Sequence, residues 1–327
     1  MLRLAAARTL AIDRLTAEVA TALAGVGVEA LVLKGPVLAD WLYPGELRTY
    51  GDSDLMVARG DWERAVDLLH ELGFLPEPSV LRPLDAMREL SLRGQSSFKG
   101  ALYALAHPKL ESLAGTGFMR GAQNVDLHCT LYGLDADPTA VWPAFAAGAP
   151  VQSIGGAELC VPSRAALLLH ICLHAAHHHE GKALEDLRRA IARTHEKGWR
   201  EALELATRLD GLRAFASGLS LLPEGALIAE GLGVGDVRSA EYELRFQRIA
   251  TAEAINTLLS RGTGTRARIL MLASKLFPRP EFMRWWSPLA RRGRVGLLAS
   301  YPYRWWWLLS NAPRALLAVF NARRRER

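Results

Sequence analysis

Cysteine and lysine are scarce in this 327-residue chain, with three and six of them respectively. Cys129, Cys160 and Cys172 show no Cys-x-x-Cys spacing, which excludes the common zinc motifs and a disulfide framework. No uncharged apolar run reaches the roughly 20 residues that span a bilayer, and charged residues interrupt the N-terminal apolar stretch. We therefore expect neither a membrane-spanning helix nor a signal peptide, and a reducing, cytoplasmic location.

Half of the residues are hydrophobic, which fits a globular protein with a sizeable core. The 40 basic residues exceed the 34 acidic ones, and 34 of the 40 are Arg. Arg suits bidentate contact with phosphates, although a genomic base bias produces the same composition. Because Arg is spread along the chain rather than clustered, a nucleic-acid partner is not expected.

The most informative stretch joins two apolar runs, at residues 30–33 and 55–57, through a turn and a pair of acids. Lys34-Gly35 follows the first run, and Asp52 and Asp54 open the second. On a β-strand, positions two apart point to the same face. Two adjacent carboxylates repel each other unless a cation neutralises them, and Mg²⁺ or Mn²⁺ prefers such oxygen ligands. The pattern predicts a metal-dependent phosphoryl or nucleotidyl transfer site, with a solvated strand start as the alternative.

Apolar periodicity and turn residues predict an α/β half followed, from Pro162, by a helical half that runs to about residue 276. The predicted helices cover residues 3–26, 36–43, 61–72 and 84–93. The predicted strands cover residues 30–34, 52–58, 96–106 and 122–132, with one more near 151–160.

Six short motifs follow one another along the chain, and their combination in this order is more specific than any one of them alone. They are Leu33-Lys34-Gly35, Leu42-Tyr43, Arg48, Gly51-Asp52-Ser53-Asp54-Leu55-Met56-Val57, Gly73-Phe74 and Asp126-Leu127-His128. In this order they resemble a bacterial family of uncharacterised nucleotidyltransferases, within the superfamily that has the DNA polymerase β-type palm. The resemblance covers roughly residues 28–180.

The resemblance implies an α+β fold, in which a palm of mixed sheet flanked by helices is followed by a mostly helical C-terminal domain. Together with the patterns along the chain, it predicts an N-terminal helix, the palm, a helical domain and a Trp/Arg-rich segment. The corresponding ranges are 1–27, 28–160, 161–277 and 278–327.

The resemblance also assigns candidate roles to seven residues. Asp52, Asp54 and Asp126 are the expected catalytic metal ligands. Lys34, Gly35 and Arg48 are expected at the triphosphate, and His128 is expected beside Asp126 or at the substrate. The wider superfamily has Gly-Ser or Gly-Gly at the turn where this chain has Gly35-Pro36, so a side-chain hydroxyl and an N–H that would meet a phosphate are missing.

The function implied is transfer of a nucleoside monophosphate from an NTP, expected to be ATP, to a hydroxyl-type acceptor. The acceptor is a small molecule or a peptide or protein, pyrophosphate is released, and Mg²⁺ or Mn²⁺ is required. The alternative is a catalytically silent binding or scaffold protein with the same fold, which the altered Gly35-Pro36 turn favours.

Two further groups of residues leave alternatives open. His170, His174 and His178 share one face of a predicted helix, where they could bind zinc or contact the nucleotide or acceptor. Asp186 is expected to cap its helix or to pair with Arg188 and Arg189.

The C-terminal segment combines Trp-Trp and Trp-Trp-Trp runs with a basic end. It could meet a membrane interface or an acidic partner, stack on nucleic acid, or form a helix pair that packs through its Trp residues.

Overall fold

The computed structural model describes residues 2–76, 116–179, 181–247, 250–259, 265–278 and 280–326. The helix expected at 84–93 and the strand expected at 96–106 lie outside these ranges. Contacts divide the chain into one unit of residues 1–80 and 112–237 and a second of residues 81–111 and 238–327. The domain boundaries expected after residues 27, 160 and 277 stay predictions.

The described part of the first unit contains seven strands and nine α-helices. The strands are β1 (Ala30–Val32), β2 (Ser53–Val57), β3 (Leu75–Pro76), β4 (Thr116–Arg120), β5 (Gln123–His128), β6 (Val151–Ile154) and β7 (Ala157–Cys160). The helices are α1 (Leu2–Gly25), α2 (Pro36–Leu42), α3 (Trp62–Glu71), α4 (Pro138–Ala146), α5 (Arg164–His178), α6 (Lys182–Arg193), α7 (Glu196–Arg208), α8 (Leu212–Leu219) and α9 (Pro223–Gly231).

The seven strands form one mixed sheet in the order β3-β4-β5-β2-β1-β7-β6. The pairs β2–β5 and β1–β7 are parallel, and the other neighbours are antiparallel. β2 lies in the middle and is buried at all five positions, as its apolar run predicts. Helices flank the sheet, and the interior of α5 is almost entirely buried. The expected α+β palm with a mixed sheet is confirmed.

Two hairpins replace single predicted strands. The strand expected at 122–132 ends at His128 and is preceded by β4, which the sequence analysis missed. The strand expected near 151–160 is the hairpin β6–β7, which turns at Gly155-Gly156 with both residues at positive φ. A Cβ on Gly155 would lie 2.2 Å from the carbonyl oxygen of Asp13, so glycine lets this hairpin approach α1.

The second unit is helical in its described part. Its helices are α10 (Ala240–Phe246), α11 (Ala250–Leu259), α12 (Thr265–Leu276), α13 (Pro280–Trp286) and the 34-residue α14 (Gly293–Glu326). One side of α14 packs on α10 and α11 through small apolar residues. This cluster comprises Ala240, Leu244, Ala252, Ala315, Val319 and Ala322. No helix in the described ranges is long and apolar enough to cross a membrane.

Candidate functional site

Adjacent parallel strands bring two of the predicted carboxylates together. Asp54 of β2 is the register partner of Asp126 of β5, and paired positions on neighbouring strands present their side chains to the same face. His128 follows two positions later on that face. One ligand atom from each of Asp54, Asp126 and His128 lies within 4.8 Å of the others. Three residues predicted from the sequence therefore form one cluster.

Asp52 lies just before β2 and is not a member of this cluster. The expectation that it occupies the same strand as Asp54 is wrong, because β2 begins at Ser53. Its charge still reaches the cluster: burial raises the pKa of Asp126, and the negative charges of Asp54 and, to a smaller extent, Asp52 raise it further. Asp52 thus lies beside the cluster, just before the strand begins.

Lys34 provides the positive charge in the cluster. Its Nζ lies 2.7 Å from Oδ1 of Asp54, and the Nε2 of His128 lies 3.4 Å from the same oxygen. Burial alone would raise the pKa of Asp54, but Lys34 and His128 hold it far below its usual range. Burial likewise opposes the charge of Lys34, yet Asp54 and the neighbouring acids raise the pKa of Lys34. The pair is therefore ionised at neutral pH.

The Gly35 turn follows β1 directly and begins α2. Gly35 has φ 58° and ψ −114°, a conformation that side chains with a Cβ rarely adopt. Pro36 occupies the first helical turn, as predicted. The ring of Tyr50 packs against the turn, 3.4 Å from where a Cβ of Gly35 would lie. The turn is thus fixed by glycine and by an aromatic neighbour.

Arg48 supports this turn from the interior. It is 5% exposed, and its Nε and Nη2 donate to the two carboxylate oxygens of Asp186 at 3.0 and 2.6 Å. Its Nη1 donates to the carbonyl of Gly35 at 3.4 Å. The structure therefore places Arg48 in a buried ion pair, and its expected contact with a triphosphate stays a prediction.

Asp186 was missed as part of the site. It is 1% exposed and accepts a hydrogen bond from Tyr43 at 2.7 Å in addition to those from Arg48. The expected pairing with Arg188 and Arg189 is wrong, because both of these contact Glu185 instead. The signal was present in the sequence: Asp186 falls on the apolar face of α6, where an acid needs a buried partner.

The histidines of α5 form a column that ends near Lys34. Ring centroids of His170 and His174 are 6.3 Å apart, and those of His174 and His178 are 4.6 Å apart. Burial and the charge of Lys34 lower the pKa of His170 to about 3, and the same causes lower the pKa of His174. Within the described ranges, the α5 histidines do not form a metal-ligating group, so the zinc alternative gains no support.

A cavity of about 780 Å³ is lined in part by residues 49–51, which directly precede Asp52 in the chain. Its walls are the start of α1, the loop before β2 and the start of α6, and they include Arg8, Tyr50, Gly51 and Lys182. Lys182 also donates to the carbonyl of Thr49. The lining contains two basic residues and, among the described residues, no acidic one. Neither Arg8 nor Lys182 was predicted, because isolated basic residues carry no spacing signal.

Comparison with known proteins finds similarity to solved structures and to one protein family. The solution structure of the antibiotic-resistance factor ANT(2'')-Ia is similar at 15% sequence identity and a TM-score of 0.38, covering 63% of this chain and 95% of its own. No curated protein matches the chain. The family described as uncharacterised nucleotidyltransferase matches residues 1–224, about two thirds of the sequence, and the chain therefore belongs to that family.

Proposed function

We propose that this nucleotidyltransferase moves a nucleoside monophosphate from an NTP, expected to be ATP, to a hydroxyl-type acceptor and releases pyrophosphate. The observation that carries the proposal is the register of Asp54 with Asp126, which sets two carboxylates and His128 side by side. The family match supports the class of reaction.

The donor set fits a divalent cation. Asp54 and Asp126 offer carboxylate oxygens, which suit Mg²⁺ and Mn²⁺, and Asp52 lies beside them. The pKa of Asp126 is raised first by burial and next by repulsion from neighbouring carboxylates. A bound divalent ion would relieve that repulsion. When bound, such an ion supplies Lewis-acid activation of the acceptor hydroxyl and neutralises charge on the leaving pyrophosphate. Asp52, Asp54 and Asp126 would hold it.

The remaining residues act by position and charge. Asp126 is the carboxylate of the cluster that would take the proton from the acceptor hydroxyl. Lys34 keeps Asp54 ionised, and glycine at position 35 allows a phosphate to approach the backbone closely. Arg8 and Lys182 add positive charge to the neighbouring cavity.

The charge of the residues that line this cavity is relevant to the charge of the acceptor. A groove lined by acids would select a polycationic acceptor of the aminoglycoside type, but this lining carries Arg8 and Lys182. We therefore propose a neutral or acidic small molecule or peptide as the acceptor.

The test is calorimetric titration of each NTP in the presence of Mg²⁺ or Mn²⁺. Wild type is expected to bind one NTP in a metal-dependent manner, and Asp54→Asn and Asp126→Asn are expected to lose that binding. Asp67→Asn, on the exposed side of α3, is the matched control and should bind as wild type does. Absence of binding with either ion would leave the carboxylates structural and favour the silent scaffold protein.

A further inference from the structure

Exposed apolar side chains follow one side of α14. Seven of them are between 52% and 81% exposed, and they recur at intervals of three, four or seven to eight residues, with one adjacent pair. They are Val295, Leu298, Trp306, Leu309, Leu316, Leu317 and Phe320. At 3.6 residues per turn they form one stripe, about 38 Å long at 1.5 Å per residue. The opposite side holds the buried residues of the helix, including Arg304, Ala315 and Val319.

The same part of the chain is strongly basic. Residues 261–327 contain fifteen Arg and Lys residues and only two acidic residues, whereas residues 1–260 contain 25 basic and 32 acidic residues. The expectation of an even distribution of charge is therefore wrong for the last 67 residues, which carry the whole positive excess. Exposed Arg residues occur near both ends of α14, among them Arg294 and Arg324.

Internal packing accounts for most of the described tryptophans of this segment but not for all. Trp305 donates its Nε1–H to the carbonyl of Leu276 at 2.7 Å. Trp286 and Trp307 pack edge to face with centroids 5.8 Å apart. Trp306 stacks on Tyr303 with ring centroids 6.0 Å apart, yet it is 62% exposed and lies on the stripe. Internal packing therefore leaves most of the Trp306 side chain exposed.

We propose that the stripe of α14 docks on a membrane surface that carries anionic lipid headgroups. A helix with a Trp, Phe and Leu side and many Arg residues lies in the plane of the interface, with its apolar side in the acyl boundary. The net positive charge of residues 261–327 complements anionic headgroups. The aliphatic side chains of the stripe favour lipid over nucleic acid, where stacking on bases uses aromatic rings.

The test is flotation of the full-length protein with vesicles, without nucleotide, so it is independent of the proposed activity. Wild type is expected to float with vesicles of equal parts phosphatidylglycerol and phosphatidylcholine, and much less with phosphatidylcholine alone. The triple variant Trp306→Ser/Leu309→Ser/Phe320→Ser is expected to stay at the bottom. These side chains are exposed, so the variant should keep its fold, which circular dichroism checks. Leu227→Ser, exposed on α9, is the control that should float normally.

A second pair of variants separates charge from apolar burial. Arg314→Gln/Arg324→Gln is expected to reduce partitioning about tenfold or more, since each basic residue near an anionic surface contributes severalfold. Arg193→Gln/Arg208→Gln removes the same charge from exposed positions of the first unit and should leave partitioning unchanged. Equal flotation of wild type and the triple variant would overturn the proposal. Two other results would overturn the proposal if wild type does not float. One is a concentration-dependent dimer that the triple variant no longer forms. The other is binding of single-stranded RNA that the triple variant loses.

Discussion

Arg48 shows that an arginine in a motif can form a buried ion pair instead of binding a ligand. Its motif position beside the acids suggested a phosphate contact, yet its guanidinium is held bidentately by Asp186 inside the first unit. It also bonds the carbonyl of Gly35, so it connects the turn to α6. A buried, paired charge of this kind fixes geometry, and removal of one partner leaves the other uncompensated.

Arg48→Ala is expected to reduce the free energy of unfolding by about 3–5 kcal/mol, because Asp186 would remain buried without its cation. Urea denaturation measures this change. Arg188→Ala is the control, since its pair with Glu185 is on the surface and is worth less than about 1 kcal/mol. Small destabilisation combined with loss of NTP binding would instead assign Arg48 to the triphosphate.

His170 leads to a prediction about how the stability of the fold depends on pH. Burial lowers its pKa to about 3 from the ordinary 6.5, so between these values the unfolded chain binds a proton that the folded chain does not. Stability contributed by neutral His170 is therefore complete above pH 6.5 and is lost as the pH falls toward 3. Urea denaturation at a series of pH values should show a shallower acid-side slope for His170→Gln than for wild type.

At the level of elements, the turn at Gly35 depends on a conformation that only glycine adopts easily. Gly35→Ala is expected to destabilise the first unit by about 1–3 kcal/mol, because φ 58° with ψ −114° strains any residue with a Cβ. Gly60→Ala is the control: Gly60 has no positive φ and open space around it, so its effect should be within about 0.5 kcal/mol. Thermal denaturation compares the two, and equal losses would contradict the argument.

The elements that the sequence predicted well are those with a clear periodic pattern. α1, α2, α3 and β2 lie within a few residues of their predicted bounds, since apolar spacing and Gly or Pro mark their cores and ends. β4 was missed because its five residues, Thr116–Arg120, include a glycine and show no clean alternation.

The cluster was predicted only as far as local pattern allows. Asp54, Asp126 and His128 came from short motifs, and the structure brings them together. The pairing of β2 with β5 and of Arg48 with Asp186 joins positions 72 and 138 residues apart, and no local rule specifies such partners. The site roles of all seven candidate residues stay predictions until ligand binding is measured.

The chain divides into two units, and each contains buried apolar residues of its own. Leu244, in the second unit, and Leu169, in the first, are both fully buried. We expect calorimetry to show more than one unfolding transition. Leu244→Ala should lower the temperature of one transition and Leu169→Ala that of another. Each substitution should reduce the free energy of unfolding of its unit by about 2–5 kcal/mol. A single transition that both substitutions lower equally would show that the chain unfolds as one unit.

The ammonium of Lys34, 2.7 Å from Asp54, has a consequence for how a metal ion would bind at this site. Because this cation belongs to the protein, part of the negative charge of Asp54 and Asp126 is balanced without a metal ion. A divalent cation bound by these carboxylates, as the proposed function requires, would have to displace Lys34 from Asp54 or share that carboxylate with it.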